Sequence, residues 1–321
     1  MKLDDLCSYL NKNSVSFDRN VPLSSKTWIK TGGTCACWII PESLDQLVEV
    51  CKYLYAQNAV FELVGQTSNL FFHSTCNPEV VVSTVRVDDY SISDEIITCD
   101  CGVSVIKLAK DCMERGFAGF AGLIGLPGTV ASSIYGNAGC FDCSIAALLL
   151  SVDVLLPDGS IRTFKQEELQ FSPRNSAFKN GKINGVILSA KLRAEVAQDI
   201  QEEKRKAEKN AQYRKNHQEG YALNLGSIYS KRVKRKNVKN IAASAICTIL
   251  AKLHLVKERN KLYKNLLLSW YGFQDLKPYV SDKTINTFVW KDNKAEDMFE
   301  RYKQFMQKIH SSLVIEIEEK I

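Results

Sequence analysis

Between residues 116 and 139 glycine recurs every third position, at 116, 119, 122, 125 and 128. Pro127-Gly128-Thr129 closes the series and Tyr135-Gly136-Asn137-Ala138-Gly139 follows. Glycine weakens helix and strand interiors alike, so this stretch reads as irregular backbone. Small residues let main-chain N–H groups come close to a ligand, because no large side chain blocks the approach. The stretch is therefore either a ligand cradle or a tightly turned connection. It is not the dinucleotide fingerprint, since no G-x-G-x-x-G follows a strand and opens a helix, and the G-x-x-x-x-G-K-[ST] phosphate loop is absent.

The sequence around it alternates. Residues 37–40 read as a short apolar strand ending at Pro41. Ser43 then caps a helix with Gln46 as its capping-box partner, and Leu44, Leu47, Val48, Cys51 and Leu54 recur at helical spacing. Residues 60–64 form the next strand and run into Gly65-Gln66-Thr67-Ser68-Asn69, a turn of small polar residues. The pattern predicts strands at 79–83 and 96–101, a helix at 105–114, a hairpin at 153–164 turning on Pro157-Asp158-Gly159, and a strand at 183–193. A long charged helix follows from 195 to about 217. Helical spacing returns at 241–255, residues 256–282 show no clear period, 295–309 is an amphipathic helix, and 313–317 alternates as a strand. This mixture with short connections predicts an α/β or α+β fold with a boundary near 195.

The 321 residues are 45% hydrophobic and 24% charged, which excludes a wholly disordered or collagen-like chain and leaves room for two or three domains. The longest apolar runs fall far short of the ~20 residues of a bilayer span. Met1-Lys2-Leu3-Asp4-Asp5 places acids where a signal peptide has a basic start. A cytoplasmic chain with no membrane partner is expected. The eleven cysteines are odd in number, and the histidines at 73, 217, 254 and 310 form no ligand cluster in sequence. Free, mostly buried thiols and no metal are the expectation, although Cys140-Phe141-Asp142-Cys143 has a redox or zinc spacing. The net charge of +6 concentrates at 204–239 and is densest in Lys231-Arg232-Val233-Lys234-Arg235-Lys236. That run reads as a phosphate-facing patch or a solvated loop. No nucleic-acid-binding motif accompanies it, so no nucleic-acid partner is expected.

Four separated segments resemble the UDP-N-acetylenolpyruvoylglucosamine reductase family, also called UDP-N-acetylmuramate dehydrogenase. Asn20-Val21-Pro22-Leu23 through Lys26-Thr27-Trp28-Ile29-Lys30-Thr31-Gly32-Gly33 is similar to its "N-x-P-L … T-x-x-x-G-G". Val64-Gly65-Gln66-Thr67-Ser68-Asn69-Leu70 is similar to its "G-x-G-S-N-L" flavin loop. Gly125-Leu126-Pro127-Gly128-Thr129-Val130 through Gly136-Asn137-Ala138-Gly139 is similar to "G-I-P-G-T-V-G-G-A … N-A-G". Arg174-Asn175-Ser176-Ala177-Phe178-Lys179 is similar to "Y-R-x-S-x-F". All four stand in the family's order. Two shorter matches follow: Gly226-Ser227-Ile228-Tyr229 resembles "G-S-x-F", and Ile315-Glu316-Ile317-Glu318 resembles "L-E-x-E".

The resemblance implies an α+β fold with a two-lobed FAD-binding unit of the vanillyl-alcohol-oxidase type. The expected lobes are 1–75 and 76–195, with a C-terminal substrate lobe at 196–321. It implies FAD held by Gly65, Gln66, Thr67, Ser68, Asn69, Leu70, Pro127, Gly128, Thr129, Ser132, Asn137 and Gly139, and NADPH as hydride donor. The implied reaction reduces the enolpyruvyl ether of UDP-N-acetylglucosamine enolpyruvate. Arg174, Ser227 and Glu318 are implied as catalytic and Lys231 as substrate-binding, in a protein expected to be a monomer.

These residue types suit that chemistry. Hydride delivery to the terminal carbon of an enolpyruvyl group builds negative charge beside a carboxylate, which an arginine fork can stabilise. A serine hydroxyl can donate the proton that completes the reduction. Taken singly, a lone arginine is usually a surface charge or ion pair, and a serine after glycine is usually a turn or cap. Glu316, Glu318 and Glu319 read as a solvated strand edge, so without the family order Arg174, Ser227 and Glu318 all rank as structural. The chain departs from the family pattern at Thr67, Ala131-Ser132, Pro173 and Ser230-Lys231, and shows little likeness across 232–284. Those departures leave open a paralogue acting on another enolpyruvyl nucleotide sugar, or a non-catalytic flavin-binding protein.

Overall fold

The computed structural model describes residues 1–220, 222–234 and 238–321, with the backbone alone at 231–234 and 311. The described chain divides into two compact units. One holds residues 1–26, 32–67 and 74–211, and the other holds 27–31, 68–73 and 212–321.

In the first unit a four-stranded sheet runs in the order Ser16–Pro22, Thr34–Ile40, Val80–Ser83, Glu62–Val64. Its first pair is antiparallel and the other two are parallel. All four residues of Val80–Ser83 are buried, as the unbroken valine run of a central parallel strand requires. Helix Leu44–Ala56 begins at Ser43, whose hydroxyl accepts from the Gln46 N–H at 3.2 Å. It buries Leu47, Val50, Cys51 and Leu54.

A second, antiparallel sheet runs Ile161–Lys165, Leu149–Leu155, Val186–Arg193, Ile96–Asp100, Tyr90–Ser93. The predicted hairpin closes where Gly159, at φ 82°, bonds back to Leu156. The helix expected at 105–114 is Val105–Glu114. Both sheets share one core that includes Val82, Ile97, Leu108, Val130 and Leu192. Nine of the eleven cysteines are buried and all are thiols. Burial pushes the Cys51 and Cys99 thiols up to about 12, which leaves them protonated and inert. Cys140 and Cys143 face each other across a two-residue ladder.

The second unit has an aromatic core. Phe288 packs on Trp290, Phe299 and Tyr302 with ring centroids 4.8, 5.2 and 5.4 Å away. Helix Ala295–Ile309 matches its predicted bounds and supplies Phe299, Tyr302 and Phe305 to this core. The unassigned stretch 256–282 contains helix Arg259–Tyr271. Its rhythm was illegible because one buried position is a lysine: Lys264 is 3% exposed. Its ammonium donates to the carbonyls of Lys277 and Val280 at 3.1 and 2.9 Å and pairs with Asp282.

Several boundaries differ from the sequence pattern. The charged helix begins at Ile200 rather than 195, and the next helix starts at Val238 rather than 241. The C-terminal strand is two strands. His310–Ile315 pairs antiparallel with Tyr229–Lys234, and Glu318–Lys320 pairs parallel with Leu70–Phe72. Among the described residues no helix is long and apolar enough to cross a membrane.

Candidate active site

Three of the sequence segments meet within the first unit. Strand Glu62–Val64 delivers Gly65 beside Thr129, where an added Cβ would lie 2.7 Å from Thr129 Oγ1 and 2.9 Å from its Cγ2. Only glycine fits that approach. The Gln66 side chain then ties the two loops together, its Oε1 accepting the Gly128 N–H at 3.0 Å. Thr129 caps the short helix Val130–Tyr135, and Ser132 completes a reciprocal capping box. The serine found in place of a family glycine is thereby accounted for. Beyond the helix, the Asn137 amide donates to the Ser172 carbonyl at 2.8 Å, and Ser176 Oγ donates to the Tyr135 carbonyl at 2.7 Å.

Those bonds bring the arginine turn onto the same loops. Ser172 and Asn175 exchange both backbone bonds, at 3.1 and 3.0 Å. Pro173 fixes φ of the first central residue, and Arg174 takes φ 58° at the second, the combination of a type II turn. Proline in place of the family's tyrosine thus suits the turn. A non-glycine residue in the left-handed region is a strained choice of the kind found at functional sites. The half-buried Arg174 guanidinium donates through Nη1 to the Gly139 carbonyl at 3.0 Å.

Those residues implied to hold FAD that lie in this unit fit such a group. The backbone is left-handed at Thr67, Gly128 and Asn137, with φ of 55°, 132° and 44°. Side chains at the loop crossing are small enough for close main-chain approach. The buried Asn137 Oδ1 has no partner among the described residues, and a buried amide oxygen left so is costly without an acceptor's role to fill.

The second unit gathers the remaining candidates. Gly226 has φ 70° and bonds through its N–H to Asn224 Oδ1 at 2.9 Å, presenting Ser227 at the surface. The next two residues are clamped by Asn286, which is 1% exposed. Its carbonyl accepts the Ile228 N–H at 2.9 Å, its Oδ1 accepts the Tyr229 N–H at 3.2 Å, and its Nδ2 donates to the Tyr229 carbonyl at 2.9 Å. The Ile228 carbonyl in turn accepts the Glu316 N–H at 2.8 Å. One backbone bond therefore joins the flank of Ser227 to the segment that leads into the strand carrying Glu318. Glu318 N–H donates to the Asn69 carbonyl at 2.9 Å, and Asn69 Nδ2 donates to the Glu316 carbonyl at 3.0 Å. Ser68, Asn69 and Leu70 thus belong with the C-terminal strand's unit, whereas Gly65, Gln66 and Thr67 belong with the first. Lys231 stands opposite Val314, and its side chain lies outside the described residues, as does most of the basic run at 231–236.

Asn286 and the group around His73 and Glu319 had no signal in the sequence. Their partners come from segments far apart, and no local spacing betrays such contacts.

Residues 35–165 match the family described as an FAD binding domain. The chain is 27% identical over 225 residues to UDP-N-acetylenolpyruvoylglucosamine reductase of Caldicellulosiruptor saccharolyticus, covering 69% of this chain and 71% of that one. It is 30% identical over 212 residues to the protein of the same name from Bacillus pumilus, covering 65% and 69%. The crystal structure of the MurB reductase from Thermus caldophilus superposes with a TM-score of 0.67 at 20% identity, over 96% of this chain and 99% of that one, which is a likeness of fold. The chain belongs to the UDP-N-acetylenolpyruvoylglucosamine reductase family.

Proposed function

We infer that the chain is an FAD-dependent oxidoreductase that uses NADPH to reduce UDP-N-acetylglucosamine enolpyruvate to UDP-N-acetylmuramate, in peptidoglycan precursor synthesis. The observation that carries this reading is the seating of Arg174 on the Gly139 carbonyl, which ties a fixed cation to the small-residue loops of the FAD-binding match. FAD, when bound, would supply the two-electron chemistry between NADPH and the enolpyruvyl double bond. Gly65, Gln66, Thr67, Pro127, Gly128, Thr129, Ser132, Asn137 and Gly139 would hold it in the first unit, and Ser68, Asn69 and Leu70 are the remaining candidates for the cofactor.

The protein's own residues do the rest. Arg174 grips the substrate carboxylate and stabilises the charge that develops next to it; a positioned cation of this kind contributes about 3–4 kcal/mol to such steps. Ser227 stands exposed on a rigid turn and donates the proton to the carbon that carries that charge. Glu318 orients hydrogen-bond donors for the reaction, and Lys231 meets the nucleotide sugar. A cytoplasmic monomer fits a soluble nucleotide-sugar substrate. The altered Ser230-Lys231 pair and the divergent 232–284 segment favour a second reading, a paralogue acting on another enolpyruvyl nucleotide sugar.

Stopped-flow kinetics tests both. NADPH should bleach the bound flavin, and enolpyruvyl-UDP-N-acetylglucosamine should restore its colour. Ser227→Ala should keep the first phase and lose the second about 10³-fold. Bleaching without recovery on that substrate removes the first reading and leaves the paralogue.

A further inference from the structure

The strand that carries Glu318 is short and weakly paired. Glu318–Lys320 and Leu70–Phe72 are three residues each and form a sheet of two strands. Such a pair has little stability of its own in water. Backbone bonds close it at the two ends, from Glu318 N–H to Asn69 and from His73 N–H to the Lys320 carbonyl at 2.8 Å. What holds it in place is the residue next to Glu318.

Glu319 is 17% exposed and is met by the His73 imidazole and the Lys303 ammonium. Its Oε2 lies 3.1 Å from His73 Nε2 and 3.1 Å from Lys303 Nζ. The other imidazole nitrogen, His73 Nδ1, lies 3.1 Å from Glu296 Oε1. Lys303 also pairs with Glu300 at 2.7 Å. Glu296, Glu300 and Lys303 are spaced four and three apart on helix Ala295–Ile309 and so share one face. The imidazole ring rests on buried Phe71 with centroids 4.3 Å apart. Burial lowers the Lys303 ammonium's pKa, and its bonds to Glu300 and Glu319 outweigh that and leave it raised, so it stays charged. The same two carboxylates face Tyr229, two residues beyond Ser227, whose hydroxyl burial and their charge push well above its ordinary value.

His73, Glu300 and Glu319 offer ligand atoms within 4.8 Å of one another, a spacing that would suit a divalent cation. Lys303 already supplies positive charge between two of them, and that favours an ionic clamp over a metal site. Successive residues on a strand point to opposite faces. A clamp on Glu319 therefore fixes the strand while leaving Glu318 to face the other way.

We propose that Glu319, His73 and Lys303 are positioning residues that hold Glu318 in register for the second half of the reaction. This rests on the reading of Glu318 as catalytic. The test is a double-mutant cycle on the full-length holoenzyme with enolpyruvyl-UDP-N-acetylglucosamine as oxidant. Glu318→Gln, Glu319→Gln, His73→Gln and the double variant E318Q/E319Q are compared. Glu319→Gln and His73→Gln should each slow reoxidation about 10–30-fold and leave flavin reduction by NADPH unchanged. The double variant should be no slower than Glu318→Gln alone, because Glu319 acts through Glu318. A double variant slower by the product of the two single losses overturns the proposal, as does normal reoxidation in both Glu319→Gln and His73→Gln. Normal reoxidation in Glu318→Gln instead removes the underlying reading. If Glu319→Gln or His73→Gln fails to fold, exchanging the charges in K303E/E319K supplies a second variant. Failure of the exchange to restore reoxidation beyond Lys303→Glu alone counts against the clamp.

Discussion

The two units hold their candidate residues by different physics. In the first, position comes from the backbone: Gly65 against Thr129, the left-handed Gly128 and Asn137, and a proline-fixed turn under Arg174. In the second, it comes from side chains that reach across sequence: Asn286 on residues 228–229, and Lys303 and His73 on Glu319. Backbone devices fail where a side chain is added at a close approach. Side-chain devices fail with one lost group. Mutations that set the two against each other should therefore differ in kind as well as size.

The largest effect is expected where the first unit departs from its own rule. Arg174 is a side chain delivered by a backbone turn. Arg174→Met should cut turnover about 10³-fold, some 4 kcal/mol, with little change in bound flavin. Arg174→Lys should recover only part of this, because a point charge cannot replace a fork. Single-turnover reoxidation reads both. If the Met variant loses its flavin instead, the arginine belongs to the cofactor site.

Asn286→Ala should come next. It strips two hydrogen bonds from a buried backbone segment, at a cost of about 2–4 kcal/mol, measured by urea unfolding. It should slow reoxidation more than flavin reduction, since Ser227 rides on that segment. Equal slowing of both phases would separate Asn286 from Ser227.

Gly65→Ala should weaken FAD binding by about 2 kcal/mol, roughly 30-fold, as Thr129 is forced aside. Apoprotein titration monitored by flavin fluorescence measures it. Gln66→Ala, which removes only a tie to Gly128, should cost less than Gly65→Ala; the reverse order would mean that the side chain, and not the close approach, holds the crossing.

The same contrast decides what the sequence could reveal. Glycine spacing at 116–128 and the turn at 65–69 are local, so the loops that meet in the first unit were legible. Helices 105–114 and 295–309 were legible to the residue because their apolar faces repeat at 3.6. The division of the C-terminal strand was not, since Glu318 finds its partner Leu70 about three quarters of the chain away. Helix Arg259–Tyr271 was hidden by buried Lys264, which satisfies itself on carbonyls that no pattern displays. The fold was therefore largely readable, and of the candidate site Arg174 and its loops more so than the clamps around Ser227 and Glu318.

Charge gives the smallest and sharpest contrast. Glu319 is paired with the Lys303 ammonium, whereas Asp100, at the end of strand Ile96–Asp100, sits partly buried among like charges. Burial, then Asp89 and Asp88, push its carboxyl up to about 6. A carboxyl whose folded value exceeds its unfolded one of about 4 favours the folded state only while protonated. Its contribution is fully present below about pH 4 and is lost as pH rises through about 6. At pH 8 the ionised group is a net penalty of about 1 kcal/mol once solvent screening is discounted. Asp100→Asn should therefore raise the unfolding midpoint at pH 8 by a few degrees and leave it nearly unchanged at pH 4. Glu319→Gln should do the opposite at pH 8, because it removes a paired charge. Equal shifts for Asp100→Asn at both pH values would show that its amide packs better and that like-charge crowding has no part in the effect.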